Sequence, residues 1–365
     1  MGKNSRSDAN LLTVKQRQSG LSVIEIMIAM TLGLLLLTAV GAFYVAQSRN
    51  QRELSNQFGQ IENGRYALDI LTKYLQNAGF YGHYVYMDAF PRDTETMPPA
   101  CETDPPHMYL TTTGTNALAF AVQGAASPTM AATFPCLNSS NLYADNDALL
   151  VRSADTTIVA SGALSARNVY LQAVARLDYP VIATGANNAS FTLVNLDGSA
   201  GDIRRYPVRI FYVSRCVEAS AGLCATGSDS PTLHMPELGD TGSTTGFTDS
   251  PLVEGIERLV VEYGLDMAGS NHTYKDASGT RVLQHDGAPD VYRREPANTD
   301  EWARVVALRL TVVARAANIT AGYTDTRSYT LASGVSYTPS GVAASYRRKL
   351  FRKTVYLTNV GTRRE

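Results

Sequence analysis

The chain has 365 residues, with 32 Lys and Arg against 33 Asp and Glu. That near-neutral balance argues against a whole-chain nucleic-acid binder, which should be clearly basic. With 44% hydrophobic and 18% charged residues, the chain is no disordered acidic polymer and can bury a core. Twenty Tyr against one Trp and ten Phe suit strands with half-exposed faces better than a helical bundle.

Residues 1–20 carry Lys3, Arg6, Lys15 and Arg17 against Asp8. An apolar run follows from Leu21 to Ala46, 26 residues with one charge, Glu25. As a helix it would extend about 39 Å, enough to cross a hydrocarbon core of roughly 30 Å. The basic leader should hold the N-terminus in the cytoplasm and place the rest of the chain across the membrane. The run is too long for a secretory signal, and no A-x-A-like site precedes Gln47-Ser48-Arg49-Asn50. The small residue, Gly20, stands before the apolar run instead.

Glu25 is the most informative residue. A carboxylate among Val23, Ile24, Ile26 and Met27 is expensive in lipid and calls for a named partner. Cleavage after Gly20 would make Leu21 the first residue and set its amine one helical turn from Glu25. A cationic amine at a helix N-terminus opposes the helix dipole, so a carboxylate from the same or a neighbouring chain would neutralise it. The plainer reading is an acid tolerated at the membrane edge.

Leu54, Phe58, Ile61, Leu68, Leu71, Leu75 and Ala78 continue the apolar pattern at steps of mostly three and four. Polar residues fill the gaps, which describes an amphipathic helix with a stripe fit to pack on a sheet. No Pro lies between Leu21 and Phe90, so one helix is predicted from Leu21 to Ala78. Gly33, Gly41, Gly59 and Gly64 are places to bend, and Gly79 and Gly82 should end it. Arg65 and Asp69, spaced i and i+4, suit a surface pair.

After Phe90 strand-like runs stand between turn residues. The predicted strands are Ala117–Val122, Asp147–Arg152, Asn168–Val174, Ser190–Asn195, Val208–Val213, Ile256–Tyr263, Val305–Arg315 and Phe351–Thr358. Ile256–Tyr263 roughly alternates, as a half-buried strand should; Val305–Val313 is more continuous and reads as central. Ala219–Ser250 and Asp266–Asp300 read as loops or small insertions. The fold class is α+β: a long N-terminal helix packed on a mainly antiparallel β-sheet head with long loops.

Cys101, Cys136, Cys216 and Cys224 all fall in the head, on the side of the membrane where disulfides persist. Four cysteines allow three pairings. The favoured one is Cys216 with Cys224, a short clip, and Cys101 with Cys136. Zinc is disfavoured because there is no C-x2-C pair and no His at ligand spacing; four free thiols are the remaining alternative.

No nucleophile elbow, H-E-x-x-H, Walker A or Rossmann glycine pattern occurs. His83, His107, His234, His272 and His285 are scattered, mostly in predicted loops, and read as solvated or structural. No calcium-loop pattern stands among the acids of Asp266–Asp290. The sequence points to no cofactor and no enzyme. Arg347, Arg348, Lys349, Arg352, Lys353, Arg363 and Arg364 crowd the C-terminus. A phosphate-contacting patch is one reading; a solvated strand face with a polar tail is the favoured one.

The string Gly20-Leu21-Ser22-Val23-Ile24-Glu25, after a basic leader and before a long apolar run, resembles the class III signal of type IV prepilins. The first mature residue here is Leu21, where that family commonly has Phe. Glu62-Asn63-Gly64-Arg65-Tyr66-Ala67-Leu68-Asp69-Ile70-Leu71, followed by Ala78-Gly79-Phe80-Tyr81-Gly82, resembles the PilW group of minor pilins. That resemblance covers residues 15–82.

It implies a leader over residues 1–20, removed by a prepilin peptidase that cleaves after Gly20 and methylates Leu21. It implies a membrane half of the helix over 21–46, an amphipathic half over 47–82, and a periplasmic head over 83–365 with insertions near 219–250 and 266–300. The implied role is a minor pilin of a Gram-negative type IV pilus, held in the inner membrane before assembly. There it would prime filament growth and cap the tip with other minor pilins, the major pilin and a PilY-type adhesin. Glu25 would aid docking into the filament. Alternatives are a type II secretion pseudopilin, a DNA-uptake receptor, and a membrane-tethered periplasmic enzyme or ligand-binding protein.

Overall fold

The computed structural model describes residues 20, 22–84, 96–112, 115–175, 179–219, 222–267, 273–275, 281–283 and 287–361. The fold is α+β, with one long N-terminal helix, α1 (Val23–Gln76), and antiparallel sheets after it. The chain divides into two units, Met1–Leu54 and Ser55–Glu365.

In the first unit, α1 starts at Val23 with Glu25 in its first turn. Val23, Ile24, Met27, Met30, Leu34, Leu35, Leu36, Leu37, Val40, Phe43 and Tyr44 are exposed. They lie on all sides of the helix, so this half has no polar face. A helix apolar all round belongs in lipid or among other apolar helices, and α1 is long and apolar enough to cross a membrane.

The second unit is a head of strands. A hairpin of β1 (Tyr109–Thr112) and β2 (Thr115–Leu118) comes first, then β3 (Val122–Ala125) and β4 (Ala148–Arg152). Next are β5 (Val169–Gln172), β6 (Val181–Thr184), β7 (Ile203–Arg205), β8 (Val208–Ser214) and β9 (Thr232–His234). β10 (Glu237–Asp240), β11 (Thr245–Thr248) and β12 (Pro251–Glu254) complete a seven-stranded sheet with β3, β4, β8 and β9. β5 lies between β6 and β7 in a smaller sheet. Then come β13 (Ile256–Leu265), β14 (Thr273–Lys275), β15 (Arg281–Leu283), β16 (Val291–Arg293) and β17 (Val305–Arg315), followed by β18 (Tyr329–Ala332), β19 (Val335–Tyr337) and β20 (Arg348–Tyr356). A four-stranded sheet runs β16-β13-β17-β20.

Period-two alternation sorts the core into layers. Leu149, Val151, Phe211 and Val213 join Leu259, Val261, Leu308, Leu310, Val312 and Val355 in one buried cluster with Ala67, Leu68, Leu71 and Leu75 of α1. Their neighbours Leu150, Ile210 and Tyr212 point the other way, into a second cluster with Tyr81, Phe134, Leu171 and Tyr206. Val260, Val313 and Leu350 turn to the opposite face of the four-stranded sheet, where Tyr329, Leu331 and Ala332 cover them. The seam between the large sheets is hydrogen-bonded. Asp147 N donates to Leu259 O at 3.0 Å, and Leu259 N donates to Asn146 Oδ1 at 2.6 Å. Val261 N donates to Asp147 Oδ2 at 2.9 Å.

The structure departs from the sequence reading in several places. The helix ends at Gln76, two residues short of Ala78; Gly79 then takes φ +75° and its N–H bonds to Arg152 O at 3.0 Å. The expected strand Ala117–Val122 is split between β2 and β3. Ser190–Asn195 is no strand: a 3₁₀ stretch fills Gly185–Ser190, and Val194 makes an isolated bridge to Ala200. Ala219–Ser250 and Asp266–Asp300, expected as loops or small insertions, carry short strands, β9, β10 and β11 in the first and β14, β15 and β16 in the second. β10 and β11 pair Gly239 with Gly246, so the glycines that suggested a loop sit inside a ladder. All ten residues of β13 are buried, although its pattern suggested one solvent face.

Candidate assembly site

Two regions carry the residues singled out by the sequence: the start of α1, and the face of the head that receives its second half. At the start, Gly20 is exposed and Leu21 lies outside the described residues. Ile26 N donates to Ser22 O at 3.1 Å, which closes the first turn. Glu25 is exposed, with no hydrogen bond or ion pair among the described residues. A carboxylate in the first turn complements the positive end of the helix dipole. The hydroxyls of Thr31 and Thr38 donate back to Ile28 O at 2.9 Å and Leu35 O at 2.8 Å. Both are thereby satisfied inside the helix and ask nothing polar of their surroundings. Glu25 is left as the one charged group on a long apolar surface.

In the second unit, Gln60, Asn63 and Gly64 set the seating of α1 on the head. Gln60 Nε2 donates to Ala314 O at 2.8 Å and to Arg347 O at 2.7 Å. It thereby spans the ends of β17 and β20. Asn63 Nδ2 donates to Glu254 O at 3.0 Å. Gly64 lies under the ring of Phe351. Asp69 pairs with Lys353 of β20 at 3.2 Å, whereas the i, i+4 spacing had suggested Arg65. A helix seated on a sheet meets cross-element cations that spacing along the helix cannot reveal. The Glu62–Leu71 motif thus does structural work, fixing helix to sheet.

The four cysteines form two disulfides. Cys101 bonds Cys136 and Cys216 bonds Cys224, each with Cα atoms 5.7 Å apart. His234 lies in β9 rather than in a loop and is buried. Its Nδ1 is 3.0 Å from Asp249 Oδ2 and its Nε2 is 2.9 Å from Cys216 O. Tyr212 donates its hydroxyl to the same Asp249 oxygen at 2.8 Å, and burial pushes that phenol above its ordinary pKa. The cluster ties β8 and β9 to the Cys216 segment. His272 and His285 lie outside the described residues.

Among the described residues the C-terminal cations do not form one shared face. Arg348 is buried, with Nη2 donating to Glu257 Oε1 at 2.8 Å and Nη1 3.7 Å from Asp325 Oδ2. Arg352 Nη2 donates to Thr330 O at 3.0 Å, and Lys353 is held by Asp69. The Arg347 guanidinium stacks 4.3 Å from the centre of the Tyr323 ring. Arg363 and Arg364 lie outside the described residues.

Sequence reasoning missed the charge network beneath the four-stranded sheet. Glu257 is fully buried between Arg348 and Arg315, and Tyr337 donates its hydroxyl to Glu257 Oε1 at 3.1 Å. Arg258 stacks 4.1 Å from the centre of the Tyr337 ring. Paired, hydrogen-bonded charges of this kind can stand inside a protein. They explain how β13 is buried on both faces yet reads as alternating. At the seam, Asp147 is pushed up to about 6 by burial, against the lowering effect of Arg294.

No curated protein matches the sequence. A type IV-like pilin from Thermus thermophilus is a structural neighbour at 12% identity and TM-score 0.30, covering 82% of this chain and 97% of its own. The family of type IV pilus-assembly protein W, PilW, matches residues 210–359. That stretch runs from β8 through β20 and does not overlap residues 15–82, where the sequence motifs lie. Residues 210–359 are thus similar to type IV pilus-assembly protein W, the same group that the motifs of residues 15–82 resemble.

Proposed function

We propose that this chain is a minor pilin that primes assembly of a type IV pilus and stands at its tip with other minor pilins, the major pilin and a PilY-type adhesin. Before assembly it is anchored in the inner membrane by α1, with its N-terminus in the cytoplasm and its head in the periplasm. A prepilin peptidase cuts after Gly20 and methylates Leu21. The observation that carries this reading is the apolar half of α1, exposed on all sides and bearing the single charge of Glu25.

The physics of docking follows. Side-by-side helices cover one another's apolar surface, but that attraction is non-directional and sets no axial step. Glu25 meeting the Leu21 amine of a neighbour sets the step, because a buried charge without its mate costs several kcal/mol, about 3–5. The role is structural rather than catalytic. Glu25→Ala is the test: the variant is expected in the membrane fraction at the normal level and depleted from sheared filaments. Normal incorporation would contradict the reading.

A further inference from the structure

The four-stranded sheet treats its two long edges differently. The outer edge of β13 is closed by Asn146 and Asp147, whose side chains bond Leu259 N and Val261 N, and by β16. β20, nine residues long, pairs only with β17 among the described residues. Ala316 N donates to Arg347 O and Leu357 N to Val306 O. In an antiparallel ladder these fix the odd-numbered residues of β20 as those whose backbone groups face β17. The N–H and C=O groups of Leu350, Arg352, Thr354 and Tyr356 therefore point outward. They find no partner among the described residues, and only the preceding Arg348 O is capped, by Arg327 Nη2 at 3.3 Å. Arg352, Thr354 and Tyr356 are exposed.

We propose that this edge of β20 receives an extended, acidic segment of another protein as an added strand. Unpaired edges of this length invite strand addition, and proteins commonly blunt them with charge. The charge here has one sign: β20 carries Arg348, Lys349, Arg352 and Lys353 and no acid. Arg348 is neutralised inside and Lys353 is held by Asp69, so Lys349 and Arg352 dress the strand. A second copy of the chain would set this basic strand against itself, and like charges directly opposite are destabilising. An acidic strand completes the ladder and the charge balance together. The proposal rests on the sheet edge alone and goes beyond the assembly reading.

The test uses the full chain in detergent and a capped eight-residue peptide of alternating Glu and Val, with a Lys-for-Glu peptide as control. The acidic peptide is expected to slow amide exchange at Leu350, Arg352, Thr354 and Tyr356, and the control peptide is not. Thr354→Pro removes one outward N–H and leaves the bonds to β17 in place; it should weaken binding about tenfold with an unchanged melting temperature. Lys349→Glu, at an exposed position, should weaken it about fivefold and serves if the proline variant does not fold. Absence of protection, equal protection by the lysine peptide, or unchanged binding in the variant that folds overturns the proposal. So does protection that rises with protein concentration alone, since the occupant is then a second copy.

Discussion

The ring of Phe351 occupies the space where a side chain at Gly64 would stand: a Cβ there would collide with Phe351 Cε2. Helix and sheet approach this closely because Gly64 has no side chain. Gly64→Leu should therefore destabilise the head by about 1–3 kcal/mol through overpacking. Phe351→Ala should recover part of that loss, whereas in the native background it only opens a cavity. A double-mutant cycle on chemical unfolding measures the coupling; strictly additive effects would contradict the packing described.

Two ion pairs on β20 should behave oppositely. Arg348 and Glu257 are both fully buried, so Glu257→Gln removes the carboxylate that Arg348 and Arg315 share, leaves Arg348 only the more distant Asp325 at 3.7 Å, and should cost about 3 kcal/mol. Lys353 is partly exposed and Asp69 largely so, so Lys353→Ala should cost no more than about 1 kcal/mol. Melting of the two variants side by side gives the comparison, and a similar loss in both would refute it.

Asp147 predicts the sign of a pH dependence. Its carboxyl is raised to about 6 from an ordinary 3.8, mainly by burial. Between those values the folded chain keeps a proton that the unfolded chain has released. The unfolded state binds fewer protons, so this group's contribution to stability falls as pH rises through that window. Asp147→Asn should make the urea midpoint less dependent on pH between about 4 and 6. An identical slope in the variant counts against the buried carboxyl.

The disulfides differ in what they constrain. Cys101–Cys136 closes a separation of 35 residues and Cys216–Cys224 one of 8. Loop-closure entropy assigns about 4 kcal/mol to the first and about 2.5 kcal/mol to the second. Cys101→Ser with Cys136→Ser should lower the melting temperature more than the corresponding change at Cys216 and Cys224. The reverse order would show that native-state effects outweigh loop closure.

How much of this was legible follows from the kind of interaction. The helix was readable because its apolar run and its later stripe are local patterns. β17 was readable because a strand covered on both faces is continuously apolar. β10 and β11 were hidden because their Thr and Gly residues signal a turn, while cross-strand pairing decides otherwise. β13 misled because Glu257 and Glu262 imitate a solvated face, and the arginines that neutralise them come from Arg348, Arg315 and Arg309, far along the chain. The PilW resemblance was visible from residues 15–82, and the family match falls on residues 210–359. Seating contacts such as Gln60 with Ala314 and Arg347 carry no sequence signal of their own.

The most direct measurement is the intact N-terminal mass of the protein extracted from membranes of cells with an active prepilin peptidase. A chain beginning at methylated Leu21 is the predicted result, placing a cationic N-methylated amine one turn from Glu25. A chain still beginning at Met1 would contradict the assembly account.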